Sequence, residues 1–90
     1  MNTDINNVTS ALLVCLGGKK FIPCQNFKEA SEIINEFIDK KDLGSRDFYN
    51  KINAGKILHH TKGIIATVSY NGRVWNNDGQ EIVNLLDNNN

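Results

Sequence analysis

Ninety residues suffice for one hydrophobic core and leave no room for a second, while 40% hydrophobic and 22% charged residues exclude the composition of a disordered chain. Ten Lys and Arg balance ten Asp and Glu. A formal net charge of zero therefore excludes wholesale recognition of a polyanion and leaves that task to a local patch. No basic segment leads into an apolar stretch with a cleavage site, and no apolar run has the length to cross a bilayer, so the chain is expected to act in the cytoplasm.

Polar, Asn-rich ends suggest that residues 1–7 and 87–90 are frayed around a single domain spanning 8–86. Asn7-Val8-Thr9 matches a glycosylation acceptor, but without a secretory signal the match is read as chance. The apolar run from Ala11 to Leu16, then Gly17-Gly18, then Lys19 to Pro23, reads as a β-hairpin. With Leu16 opposite Lys19, Leu12, Val14 and Phe21 share the expected core face, and Leu13, Cys15, Lys20 and Ile22 lie on the other.

Asn26-Phe27-Lys28-Glu29 has the form of a capping box, so a helix is expected over about 27–42. Phe27, Ala30, Ile33, Ile34, Phe37 and Ile38 recur at steps of three and four and form its apolar stripe. Lys40 and Lys41 suit the negative end of the helix dipole, and Gly44 is expected to take the left-handed conformation that stops it. Ser45 can cap a short second helical turn.

Lys56 to His60 and Ile64 to Tyr70 read as a second hairpin through Thr61-Lys62-Gly63, its register open by one residue. Asn71-Gly72 favours a two-residue type I′ turn that pairs Tyr70 with Arg73, Ser69 with Val74 and Val68 with Trp75. Trp75 then shares the core with Val68, and Tyr70 and Arg73 stand at an exposed tip. Gln80 to Leu86 fits either a strand or a short helix. The resulting fold class is α+β, an antiparallel sheet of order β-β-α-(α)-β-β-β with the main helix on one face.

Residues that could carry chemistry do not assemble into a known site. In the expected register Cys15 and Cys24 lie roughly 13 Å apart, beyond disulfide reach, and read as free thiols. His59 and His60, adjacent on a strand, point to opposite faces and cannot easily share a metal. Asp39, Asp42 and Asp47 read as capping or solvated carboxylates. Gly17-Gly18 lacks the helix that a phosphate loop needs. No catalytic residue, metal, cofactor or small-molecule substrate is therefore expected.

Turn residues are more informative. Lys19, Lys20, Lys62, Arg73 and Arg46 would make a basic rim beside Tyr70 if the turns converge, suited to phosphates or an acidic protein surface. Singly, each also serves to keep a sheet edge soluble. Tyr70 with Arg73 has the composition of a binding hot spot.

Leu43-Gly44-Ser45-Arg46-Asp47-Phe48 and the more distinctive Ile65-Ala66-Thr67-Val68-Ser69-Tyr70-Asn71-Gly72-Arg73-Val74-Trp75 resemble small proteins of phages and mobile elements, among them anti-CRISPR proteins. The likeness takes in the helix from Phe27 and so most of residues 11–80. It implies a non-enzymatic inhibitor, active in the cytoplasm of a bacterial host cell, that docks on a CRISPR surveillance complex and prevents DNA binding. The partner would be its protein subunits and also its guide RNA. Many such inhibitors are acidic DNA mimics, and the neutral charge here departs from that pattern. A small nucleic-acid-binding accessory protein that uses the basic tips is the alternative, and a small enzyme a third.

Overall fold

The Asn26 half of the cap that begins the helix forms as expected, whereas Glu29 reaches one residue further back, to Gln25 rather than to Asn26. Asn26 is extended, its Oδ1 accepts the Glu29 amide at 2.8 Å, and the Glu29 carboxylate accepts the Gln25 amide at 2.6 Å. The computed structural model describes residues 12–85, so the expectations for 1–7, 87–90, the domain limits at 8 and 86 and Asn7-Val8-Thr9 lie outside the described residues. Helix α1 runs Phe27–Lys41 and buries Phe27, Ala30, Ser31, Ile34 and Ile38. Ile33 and Phe37 flank this stripe and are only half buried. Asp42, not Gly44, takes the left-handed C-cap conformation at φ 53°, which an Asx side chain tolerates. Gly44 instead precedes helix α2, Ser45–Tyr49, as an N-cap without a side-chain bond, and Ser45 is already helical.

Among the described residues six strands form one antiparallel sheet: β1 Leu12–Gly17, β2 Lys20–Cys24, β3 Lys56–His59, β4 Gly63–Val68, β5 Val74–Asn76 and β6 Glu81–Ile82. Their order across the sheet is β2-β1-β3-β4-β5-β6, and α1 packs over β1, β2 and β4. The fold is α+β, and the ambiguous segment after Gly79 supplies the last strand. Leu12, Val14, Cys24, Ile57, Ala66, Val68 and Val74 meet the helix stripe in one core, with Phe48 of α2 filling its end. β2 and β6 are the edges of the described sheet, and β2 carries Pro23, which has no amide to donate.

Two registers differ from those expected, and the one left open is irregular, each because a turn or bulge absorbs a residue. The first turn is Gly18-Lys19, and a bulge between Cys15 and Gly17 pairs Val14 with Ile22 and Cys15 with Phe21. Ile22 and Cys24 therefore join the core side and Phe21 is exposed. Cys15, expected on the face away from the core, is fully buried. In the second hairpin the pairing steps between Ile57 and Leu58.

The third hairpin closes on three loop residues rather than two. Gly72 N–H donates to Ser69 O at 2.9 Å and Ser69 N–H to Arg73 O at 2.8 Å, with Gly72 at φ 87°. This glycine bulge pairs Val68 with Val74 and Thr67 with Trp75. Val74 thus takes the core place expected for Trp75, which lies half buried on the opposite face and donates its indole N–H to Ser69 Oγ at 3.2 Å.

Gly55 joins the sheet where its chain has left regular strand. Its N–H donates to Cys15 O and its O accepts Val68 N–H, both at 2.8 Å, at φ 87°. A Cβ there would stand 2.2 Å from Val68 O, closer than any backbone atom tolerates. Gly55→Ala is expected to lower stability by about 3–5 kcal/mol in denaturant melts. Ile34→Ala should cost about 3 kcal/mol through its cavity, with Glu32→Ala near parent as the solvated control.

Candidate docking surface

Antiparallel pairing decides which turns can meet. His59 pairs with Leu12 and Gly63, so the β3–β4 turn that holds Lys62 lies at the end of the sheet where β1 begins. The β1–β2 turn with Lys19 and the β4–β5 turn with Arg73 lie at the other end, where β1 and β4 finish. Lys62 does not join the expected rim. β1 and β4 are two strands apart, roughly 10 Å at sheet spacing, so Lys19 and Arg73 share an end without touching. Arg46 is exposed on α2, and Lys19 and Lys20 are exposed on the first hairpin.

Tyr70 is not a free tip. Its hydroxyl donates to Leu43 O at 2.8 Å, its amide donates to the Tyr49 hydroxyl at 2.8 Å, and its ring lies 6.2 Å from Phe48. The adjacent Gly72 O accepts from Ser31 Oγ of α1 at 2.7 Å. The β4–β5 loop is thereby fastened to both helices, because the three-residue turn folds Tyr70 inward over α2. Arg73 remains outside, 60% exposed, with Glu81 3.9 Å away across the neighbouring strands.

What the fold does bring together at this end is a crevice of about 510 Å³ between the first hairpin, the C-terminal turn of α1 and the loop after α2. Leu16, Phe37, Leu43 and Ile52 supply apolar walls, and Lys20, Lys41 and Lys51 stand around them. The Gly18 amide donates to Ile52 O at 2.7 Å, which pins the loop against the hairpin, while Ile52 itself stays 72% exposed. A Cβ on Gly17 would come within 3.1 Å of Lys51 Cβ, so the glycine lets the loop sit close. The Lys51 ammonium lies 5.9 Å from the centroid of Phe37. A second hollow of about 290 Å³ continues along α1 past Ile22 and Ile33 and shares Leu16, Phe37 and Lys41.

The cations differ in their partners. Lys28 pairs with Glu32, Lys40 with Glu36 and Arg73 with Glu81, whereas among the described residues Lys20, Lys41 and Lys51 have no carboxylate within 4.0 Å. Only Lys20 of these three was singled out by sequence. Lys41 was read as a helix-dipole partner, and Lys51 and Ile52 carried no signal because their place depends on the Gly18 and Gly55 backbone bonds. Phe37 was assigned to the core because periodicity does not say where a stripe runs past the edge of its sheet.

The thiols and histidines form no second site. Cys15 and Cys24 are free, and burial first, then the Glu29 charge, pushes the Cys24 thiol up to about 12. Cys15 Sγ lies 3.3 Å from Gly17 N and 3.6 Å from Gly18 O, turned back into its own hairpin. His59 and His60 do not diverge as expected. β3 ends at His59, and the turn stacks their rings at 4.7 Å. Desolvation, then His60 and Lys62, hold His59 below its ordinary value. Among the described residues no three His, Cys, Asp or Glu side chains group as metal ligands, and no helix is long and apolar enough to cross a membrane. Comparisons with protein-family models, characterised proteins and solved structures find no match.

Two outcomes follow for this surface. Tyr70→Phe should lower stability by about 1 kcal/mol, since Leu43 O loses its partner. In the unfolded chain Cys24 ionises near the ordinary 9.0 and in the fold only near 12, so its contribution is intact below 9 and is lost as pH rises through that window. Native protein at pH 8 should resist iodoacetamide at Cys24, and denatured protein should label fully, as read by mass spectrometry.

Proposed function

We propose that this chain is a non-enzymatic binding protein, an inhibitor that docks on a bacterial CRISPR surveillance complex and prevents it from binding DNA. The observation that carries docking is the crevice edged by Lys20, Lys41 and Lys51. These three cations lack an internal counter-charge among the described residues and surround the half-buried Leu16, Phe37 and Leu43 and the exposed Ile52. Unpaired cations around an apolar centre match the make-up of an interface, a hydrophobic middle inside a polar rim. The partner class comes from the likeness of Ile65 to Trp75, and of the helical stretches before it, to small proteins of phages and mobile elements, among which are anti-CRISPR proteins.

Docking works by surface complementarity, so no bond is made or broken. Lys19, on the turn between Gly18 and Lys20, adds positive charge beside the crevice and speeds encounter with a negative surface of protein or guide RNA. Once seated, the rigid sheet end excludes target DNA by occupying its approach. With zero net charge and Lys62 at the far end, a continuous track for free nucleic acid is poorly supported, and the accessory-protein reading ranks second.

Plasmid interference in cells expressing a CRISPR system tests the proposal. The parent chain should restore plasmid uptake, and a Lys19→Glu, Lys20→Glu, Lys51→Glu variant should lose that effect while melting within a few degrees of the parent. Lys62→Glu, at the far end, should inhibit as the parent does. Failure of the parent against every CRISPR type tried would remove this partner class.

A further inference from the structure

We infer that the crevice between the first hairpin and the end of α1 receives a protein segment in which an apolar side chain is flanked by carboxylates. This inference rests on the docking function proposed above and names the chemistry of its partner.

Charge complementarity is the first argument. Three lysines line one opening, and the carboxylate that lines the adjoining hollow, Glu36, is already engaged by Lys40 at 3.5 Å. An incoming carboxylate meets no internal competitor among the described side chains that form the crevice. The apolar walls are the second argument. Leu16, Leu43 and Ile52 are aliphatic and offer no flat face on which a nucleobase stacks, and the one aromatic ring, Phe37, has an ammonium above it. Recognition of single-stranded RNA depends on stacking against open aromatic or guanidinium planes. Tyr49, 57% exposed, and Tyr70 belong to the hydrogen-bonded strut beside α2 and do not line the crevice.

Rigidity is the third argument. The Gly18–Ile52 and Gly55–Cys15 backbone bonds hold the loop against the hairpin, so Ile52 is held outward before any partner arrives. An exposed aliphatic side chain kept in place on an ordered loop is a ready contact for an apolar anchor, and the cost of ordering it has been met by folding. The carboxylates flanking that anchor then meet Lys20, Lys41 and Lys51, which line the same opening.

The test is amide chemical-shift titration of the whole labelled protein with three probes: a short peptide with one phenylalanine between aspartates, the same peptide with alanine in place of phenylalanine, and oligouridine RNA. The phenylalanine peptide should give saturable shifts at Gly18, Lys20, Leu43 and Ile52, and the alanine peptide should bind on the order of tenfold more weakly. Ile52→Ser and Lys20→Glu should each weaken the phenylalanine peptide comparably without changing the melting temperature. Equal behaviour of the two peptides, no shift with either, or tighter binding of RNA at these amides would each overturn the inference. An Ile52→Ser variant that still inhibits interference fully would do the same while leaving the proposed function standing. A parent chain that binds the phenylalanine peptide at these amides but inhibits no CRISPR type would count against the function alone.

Discussion

Everything at the crevice end of the sheet hangs on one residue without a side chain. Gly55 bridges β1 and β4 by its own amide and carbonyl, at a positive φ and with its α-carbon against Val68 O. The central strands can close on each other there only because nothing projects from it. The preceding residues are then committed to a tight path, with Ala54 buried and Asn53 at φ 63°, and Ile52 is delivered to the Gly18 amide. One backbone geometry thus aligns two hairpins and builds a wall of the crevice.

Around that fixed point, polar ties do what apolar burial does elsewhere. Helix α1 is held to the sheet by its stripe, but α2 has five residues and buries only Phe48. Its position comes from the Tyr49 and Tyr70 hydroxyls, which link α2, the β4–β5 loop and the segment leaving α1. Such directional bonds contribute only modestly in number, yet they place groups more narrowly than a greasy contact can. The lysines that edge the crevice are therefore carried on fixed backbone, and only their long stems need to adapt.

The helix was legible from sequence because cap and stripe report on neighbours three and four residues away, and both are local physics. Strand existence was legible for the same reason. Registers were not, since a bulge costs one residue and shifts every later partner: Gly17 moved Phe21 out of the core, and Gly72 exchanged Trp75 for Val74. Of the residues singled out for recognition, Lys20 lines the crevice, Arg73 and Lys19 stand at the same end, Lys62 is elsewhere, and Tyr70 is a strut. Lys41, Lys51 and Ile52 meet Leu16 only through the tertiary fold, so no window of sequence holds them together.

Pro23 within β2 has a consequence for how any partner can be held. An outer strand with its amides free invites another strand to zip alongside, which is how many domains capture peptides and also how they polymerise. Here one margin of the sheet is interrupted by an imide and the other, β6, offers two residues. Ribbon-like growth finds no foothold of useful length along either margin of the described sheet. Contact along these margins is left to side chains, because a partner's main chain finds few free amides there to pair with.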